Sequence, residues 1–229
     1  MRAVYLPSLE IQGTAQLEGE THHHLKNVLR IEIGEEILGL NGLGLSQKMR
    51  VSEITKKSIT LTPLSYYHTE KKWELDLYLY VPKKDALELC LKQAVEIGFS
   101  KITLIQGDFS QQKMLEEDRV MRLLISALEQ SNNPYLPSLE FSPRSLNFDS
   151  YEAIYFFDST AEKQGRIAQT KCSKVAMVIG PEAGFSEREI EFYRSLPKAS
   201  ALRLPIPILR TPTAVSVGAG ILLHSLVDL

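Results

Sequence analysis

Two stretches near the C-terminus constrain the fold more than any other part of the chain: Val175 to Ser186 (VAMVIGPEAGFS) and Ala201 to Ala214 (ALRLPIPILRTPTA). Each carries an apolar, strand-like run into a Gly- or Pro-rich loop that delivers a helix. Val175 to Ile179 is continuously apolar and bounded by Gly180 and Pro181, the pattern of a buried parallel strand. Ser186 and Glu189 have the S-x-x-E form of a capping box, so a helix is expected from Glu187, with the loop Gly180 to Phe185 over its positive end. In the second stretch Leu202 and Leu204 end a strand, and Pro205 and Pro207 exclude regular structure. Thr211-Pro212 reads as N-cap followed by N1 proline, with an apolar helix from about Thr213 to Leu226.

Ligands of open α/β sheets bind outside the carboxyl ends of strands, which makes the two loops the expected walls of one pocket. They offer Glu182, Arg210, backbone amides and apolar side chains, a lining suited to a flat neutral ring rather than a polyphosphate. No G-x-G-x-x-G follows the first strand and no G-x-x-x-x-G-K-[ST] occurs anywhere, which argues against dinucleotide and P-loop chemistry.

A domain boundary is expected near Thr69 to Lys72, giving domains 1–72 and 73–229. Before it, short segments at Glu36 to Leu40, Lys48 to Ile54 and Ser58 to Leu61, separated by turn signals such as Asn41-Gly42, predict a small β-barrel. After it, Trp73 to Val81 alternates apolar and polar residues as a strand does, and Pro82 ends it. A helix with Asp85 and Glu88 as cap partners runs to Gly98. Further strands are expected at Lys101 to Ile105, Ala153 to Phe157, Val175 to Ile179 and Ala201 to Leu204, with a helix around Asp118 to Gln130. Strands alternating with helices imply an α/β domain with a mostly parallel sheet.

The chain of 229 residues carries a net charge of −2, which argues against tight binding to naked RNA without excluding a basic patch. Residues 1–72 hold 9 Lys/Arg against 8 Asp/Glu, so neither domain is markedly basic. Cys90 and Cys172 lack metal-ligand spacing and read as reduced thiols. The adjacent His22, His23 and His24 do not face one point on a helix or strand, so no metal is expected. The N-terminus has no secretory signature and no apolar run reaches the ~18 residues of a membrane span; a cytoplasmic protein is expected.

At this point the residues resemble a family. VIGPEAGFSEREI followed by LRLPIPILRTPTA, preceded by KKDALELCLKQAVEIGFSKI and ALEQSNNPYLPSL, is similar to the RsmE family. The N-terminal run His23 to Arg30 with Gly34 also matches that family's H-H-L-x-x-V-L-R-x-x-x-G, so the resemblance covers nearly the whole chain. RsmE proteins are SPOUT-superfamily methyltransferases that methylate N3 of a uridine in small-subunit ribosomal RNA using S-adenosylmethionine. The resemblance implies a PUA-like, RNA-binding N-terminal barrel, a trefoil knot in the C-terminal domain, a homodimer, and ribosomal RNA or the small subunit as partner. For the dimer, the apolar last helix with its small residues Gly218, Ala219 and Gly220 is the expected contact.

In that light the cofactor is expected on the backbone of Phe157, Ile179, Gly180, Pro181, Ala183, Gly184, Leu204, Pro205, Ile208, Leu209, Thr213 and Ala214, with Phe157 to Thr160 as a third wall. Methyl transfer demands alignment above all, plus a base or an electrostatic aid for the uracil imide proton. Arg210, Glu182 and Glu129 are the candidates, Arg210 first, as a guanidinium facing developing charge on uridine O2 or O4. Each also has a structural reading: a loop-closing hydrogen bond for Arg210, a carboxylate beside a helix N-terminus for Glu182, a scaffold group for Glu129. His24, Lys26, Arg30 and Lys83 are candidate RNA contacts. Ala183, Pro205, Pro212 and Asn133 depart from the family's glycine, glycine, glutamate and arginine. The alternative reading is therefore a catalytically weak RNA- or ribosome-binding module that keeps the fold.

Overall fold

Half-buried alternation builds one sheet from the first 68 residues, and nearly continuous burial builds a second from later strands. In the computed structural model, residues 1–110, 115–141, 145–161, 167 and 172–226 are described. Contacts divide the chain into two units, Met1–Lys71 with Ile125–Leu136, and Lys72–Leu124 with Pro137–Leu229.

The first unit contains β1 (Arg2–Tyr5), β2 (Ala15–Leu17), a short helix α1 (Gly19–His23) that continues as a π-helical turn (His24–Val28), β3 (Glu36–Leu40), β4 (Leu45–Ile54) and β5 (Ile59–His68). Strand order is β1-β3-β4-β5-β2, antiparallel except for the parallel β1–β3 pair. No ladder among the described residues joins the two edge strands, so the sheet is curled rather than closed as the expected barrel. Asn41-Gly42 turns β3 into β4, the Asn41 Oδ1 accepting the N–H groups of Leu43 and Leu45 at 2.8 and 3.0 Å. The curl wraps Val4, Leu17, Leu25, Ile37, Met49, Val51, Ile59 and Leu61 into one core. The short strands β1 and β2 escaped sequence reading because three or four residues carry too little periodicity.

The second unit holds a six-stranded, all-parallel sheet in the order β11-β9-β10-β6-β7-β8. In chain order its elements are β6 (Glu74–Tyr80), α2 (Lys84–Ile97), β7 (Lys101–Ile105), β8 (Ser138–Phe141), β9 (Ala153–Phe157), β10 (Lys174–Ile179), α4 (Glu187–Ser195), β11 (Ala199–Leu202) and α5 (Thr211–Leu226); α3 (Glu117–Ser131) begins here and ends in the first unit. Gly98 closes α2 in the left-handed conformation, as expected. The expected Asp85 and Glu88 cap does not form: Lys83 is the N-cap without a side-chain bond, and Glu88 instead pairs with Arg119 at 2.5 Å. The last strand lies two residues earlier than expected, and α5 starts at Thr211 with Ala214 N–H bonded to Arg210 C=O, so Arg210 takes the N-cap place assigned to Thr211.

The alternation read in β6 separates two buried faces rather than core from solvent. Leu75, Leu77 and Leu79 are fully buried on one side; Asp76, Tyr78 and Tyr80, at 3 % exposure each, are buried on the other, because a parallel sheet is covered on both faces. The aromatic face packs Tyr78, Tyr80, Phe148, Tyr151, Phe156 and Tyr193 together, with Phe156 and Tyr193 stacked at 5.5 Å between ring centroids. On the opposite face α5 packs against α2 and β10, and a Cβ on Gly218 would meet the Phe157 ring at 2.8 Å and Met177 Sδ at 3.2 Å. Gly218 and the buried Ala219 are thus used inside the protomer, leaving only Gly220 of the small-residue stripe exposed. No described helix is long and apolar enough to cross a membrane.

Asp76 is the anomaly of this sheet. The Tyr151 hydroxyl donates to its Oδ2 at 2.6 Å, Oδ1 has no partner among the described residues, and burial pushes the carboxyl above its usual range. A carboxyl raised on folding contributes most below its unfolded pKa, about 3.9, and loses that contribution as pH rises through the folded value. The Asp76→Asn variant is therefore expected to gain stability relative to the parent as pH goes from about 4 to 8; melting temperatures of both proteins across that range check it, and a variant Tm minus parent Tm that stays flat or falls with pH counts against it.

Candidate functional site

Helices α2 and α4 leave the adjacent strands β6 and β10 toward opposite faces: α2 packs with α5, while Tyr193 of α4 joins the aromatic face. Strand order also reverses here, since β6, β7 and β8 step to one edge and β10, β9 and β11 to the other. Such a switch point opens a crevice at the carboxyl ends of the strands. The three loops expected as walls end β9, β10 and β11, which are neighbours in the sheet.

The loop after β10 turns at Pro181–Gly184, where Gly184 N–H donates to Pro181 C=O at 2.9 Å and Gly184 has φ +80°, a conformation that disfavours a side chain. Ser186 then begins α4 with the expected capping box: its Oγ accepts Glu189 N–H, and Glu189 Oε2 accepts Ser186 N–H at 2.7 Å. Glu189 reaches further than the box. Its Oε1 accepts the N–H of Asp108, in the loop after β7, at 3.0 Å, and Asp108 in turn accepts from Ser186 Oγ and from Arg188, at 2.7 and 2.6 Å. Gly107 allows this closure, because a Cβ there would lie 2.2 Å from Tyr80 Cδ1 and 2.8 Å from Glu189 Oε1. Tyr80 donates to or accepts from Tyr193 at 3.0 Å, and burial pushes its phenol up to about 12.

Glu182 is exposed and its two carboxylate oxygens accept Lys83 N–H at 3.1 and 3.4 Å, tying the β10 loop to the start of α2 across the switch point. Lys83 thus meets the candidate carboxylate through its backbone, with its side chain exposed. Arg210 is exposed at the first turn of α5, beside the loop Leu204 to Leu209, in which Ile206 is 48 % and Ile208 85 % exposed. Among the expected cofactor contacts Ile179 and Pro181 are buried, Phe157, Gly180, Gly184, Leu204, Leu209 and Ala214 half-buried, and Ala183, Pro205 and Thr213 exposed. After β9, Asp158 is buried and its Oδ1 accepts both Thr160 N–H and Thr160 Oγ at 2.8 and 2.7 Å. Asp158 belongs to the expected wall 157–160 without being singled out there, although Asp-Ser-Thr directly after a strand is a recognisable Asx-turn signal, and no local motif marks Asp108.

Glu129 lies in the first unit, where it accepts Tyr5 N–H at 2.9 Å and burial raises its carboxyl. His24 and Arg30 are exposed there, Arg30 with φ +50°. Lys26 donates to Thr55 C=O at 2.6 Å. His22, His23, Lys26, Lys56 and Lys57 line an open cavity of about 520 Å³ with Glu18. No group of three metal-ligating side chains occurs among the described residues.

The RNA methyltransferase domain family matches residues 69–223, and the RNA methyltransferase PUA domain family matches residues 17–64. The ribosomal RNA small subunit methyltransferase E 2 of Borreliella burgdorferi is 32 % identical over 217 residues, covering 86 % of each chain. The ribosomal RNA small subunit methyltransferase E of Helicobacter pylori is 29 % identical over 234 residues, covering 96 % of this chain and 99 % of that one. Among solved structures, a protein of Legionella pneumophila in complex with the bound cofactor SAM has a TM-score of 0.85 at 23 % identity, covering 99 % of this chain and 98 % of its own. A ribosomal RNA small subunit methyltransferase E of Neisseria gonorrhoeae bound to S-adenosyl methionine has a TM-score of 0.80 at 22 % identity, covering 97 % and 96 %; at these identities the likeness is one of fold.

If Glu189 holds the β7 loop to α4, Glu189→Ala removes two charge-assisted acceptors worth together about 3–6 kcal/mol, a fall in Tm of roughly 6–24 °C for a chain of this size. Calorimetry of this variant beside Asp85→Ala, an exposed helix position, checks the claim; equal Tm values in the two would overturn it.

Proposed function

We propose, for a chain that belongs to the ribosomal RNA small subunit methyltransferase E family, that it transfers a methyl group from S-adenosylmethionine to N3 of a uridine in small-subunit ribosomal RNA. The observation that carries the reading is the reversal of strand order at β6 and β10 in the parallel sheet, the place where a ligand crevice is expected, which falls within the residues matched by the family. The residues there fit the cofactor. A Cβ on Gly180 would crowd Phe185 and Gly184 at 3.3–3.4 Å, so glycine there serves the close packing of the loop, and Asp158 keeps a buried carboxylate oxygen without a partner among the described residues. Leu204, Ile208 and Leu209 add apolar surface for an aromatic ring.

When bound, the cofactor supplies an electrophilic methyl group on a sulfonium. The chain contributes orientation: the loops 180–186 and 204–213 and the wall 157–160 hold the cofactor through Phe157, Ile179, Gly180, Pro181, Ala183, Gly184, Leu204, Pro205, Ile208, Leu209, Thr213 and Ala214. Arg210 stabilises charge developing on uridine O2 or O4 as the imide proton passes from N3 to solvent water and N3 takes the methyl group. Glu182, already bonded to Lys83 N–H, fixes the relation of the β10 loop to α2, and Glu129, bonded to Tyr5 N–H, is assigned a structural role. Residues 1–72 are read as the RNA-recognising domain, with His24, Lys26 and Arg30 facing phosphate beside the basic cavity, and residues 73–229, with Lys83, as the catalytic domain closed by a trefoil knot. Two copies pair in the cytoplasm, a reading supported by the exposed Ile206 and Ile208.

Calorimetry with S-adenosylmethionine, followed by methyl incorporation into undermethylated small subunits, tests the reading. Arg210→Ala is expected to lower methyl transfer about 10²-fold while leaving cofactor affinity within roughly threefold. Binding without incorporation by the parent protein favours a ribosome-binding module, as Pro212 and Asn133 in place of the family's glutamate and arginine suggest. Absence of binding removes the enzyme reading, and a monomer at micromolar concentration in sedimentation removes the pairing.

A further inference from the structure

Asp158 stands at the carboxyl end of β9, the middle of the three strands whose loops form the crevice. It is 5 % exposed. Its main chain extends the ladder one step beyond β9, with its N–H on Leu202 C=O at 3.1 Å, so it is held at the junction of the β9 and β11 loops. Exposed Arg203 strengthens that junction by donating from Nη1 to Ala161 C=O at 3.1 Å.

The two carboxylate oxygens differ. Oδ1 accepts two bonds from Thr160, closing a turn that Ala161 N–H on Asp158 C=O completes. Oδ2 is sealed from solvent and has no hydrogen-bond partner among the described residues. A turn needs one side-chain oxygen, and Asn or Ser supplies it without a buried charge. A carboxylate in that place holds a second acceptor that the fold leaves unused, at the cost of desolvating it. At the ligand-binding edge of an α/β sheet, such an acceptor waits for a donor.

We propose that Asp158 is a cofactor-binding residue, its Oδ2 accepting a hydrogen bond from a donor group of S-adenosylmethionine. The proposal rests on the reading of the crevice as that cofactor's site. The donor is either a hydroxyl or amino group of the nucleoside or the ammonium of the amino-acid part, both of which suit a buried carboxylate.

The discriminating variant is Asp158→Asn. Its amide oxygen can still accept from Thr160, preserving the turn, while an N–H₂ replaces the unused oxygen and turns donor toward donor. Titration calorimetry of parent and variant with S-adenosylmethionine and with 5′-methylthioadenosine, which lacks the ammonium, reads the outcome. We expect an affinity loss of about tenfold or more for S-adenosylmethionine, with Tm unchanged within about 2 °C. A loss for both ligands places the donor on the nucleoside, and a loss confined to S-adenosylmethionine places it on the ammonium. Unchanged affinity for both in D158N, with normal binding by the parent, overturns this inference alone; a parent that binds neither ligand overturns it together with the proposed function. Should D158N fail to fold, Asp158→Ser, whose hydroxyl also accepts the Thr160 amide, carries the same measurement.

Discussion

The carboxylate of Glu189 gives one oxygen to the N–H of Ser186 and the other to the N–H of Asp108, and the geometry of the crevice depends on both bonds. The first ends the β10 loop by starting α4; the second fastens the β7 loop to the same point. Residues 106–108 and 181–185 lie outside helices and strands, and the buried Glu189 fixes these two connections to one point. Tyr80 and Tyr193 close the space beneath it, and Gly107 is required because any side chain would enter the Tyr80 ring. A second carboxylate, Glu182, repeats the device across the switch point by taking Lys83 N–H. The edge of the sheet is thus built from acids holding backbone amides, an economical way to satisfy donors that loops leave open.

Local chemistry made much of this legible in the sequence. The capping box at Ser186 and Glu189, the left-handed Gly98, the Asn41-Gly42 turn and the parallel strand at 175–179 each follow from residues within four positions of one another, and each stands where expected. What escaped depends on distance along the chain. That Glu189 also serves Asp108, 81 residues away, or that Glu182 serves Lys83, 99 residues away, cannot be read from a motif, because nothing local signals which amide will lack a partner. The strand order β11-β9-β10-β6 is of the same kind: spacing gives parallel strands without saying which will be neighbours.

The alternation in β6 shows how a correct local reading can carry the wrong physical meaning. Period two does place Leu75, Leu77 and Leu79 on one side and Asp76, Tyr78 and Tyr80 on the other, yet both sides are buried. One face is aliphatic and receives helices; the other is aromatic and receives Phe148, Tyr151 and Tyr193. Tyrosine is what makes the second face workable, since its ring fills volume while its hydroxyl finds a partner, as in the Tyr78–Tyr151 and Tyr80–Tyr193 pairs at 3.1 and 3.0 Å.

Two buried carboxylates in this unit each keep one oxygen without a partner among the described residues, Asp76 and Asp158, and their positions separate their meanings. Asp76 lies near the amino end of β6, where sheets of this class carry no ligand, and its engaged oxygen takes a tyrosine hydroxyl from the aromatic core. Burial raises its carboxyl, so it can relieve its own cost by holding a proton, and it is a scaffold group. Asp158 lies at the opposite end of its strand, on a turn joined to the β11 loop at the carboxyl edge of the sheet. The same atomic defect is therefore a stability term at one edge of the sheet and a recognition element at the other, because only at the carboxyl edge does the parallel arrangement bring a ligand to it.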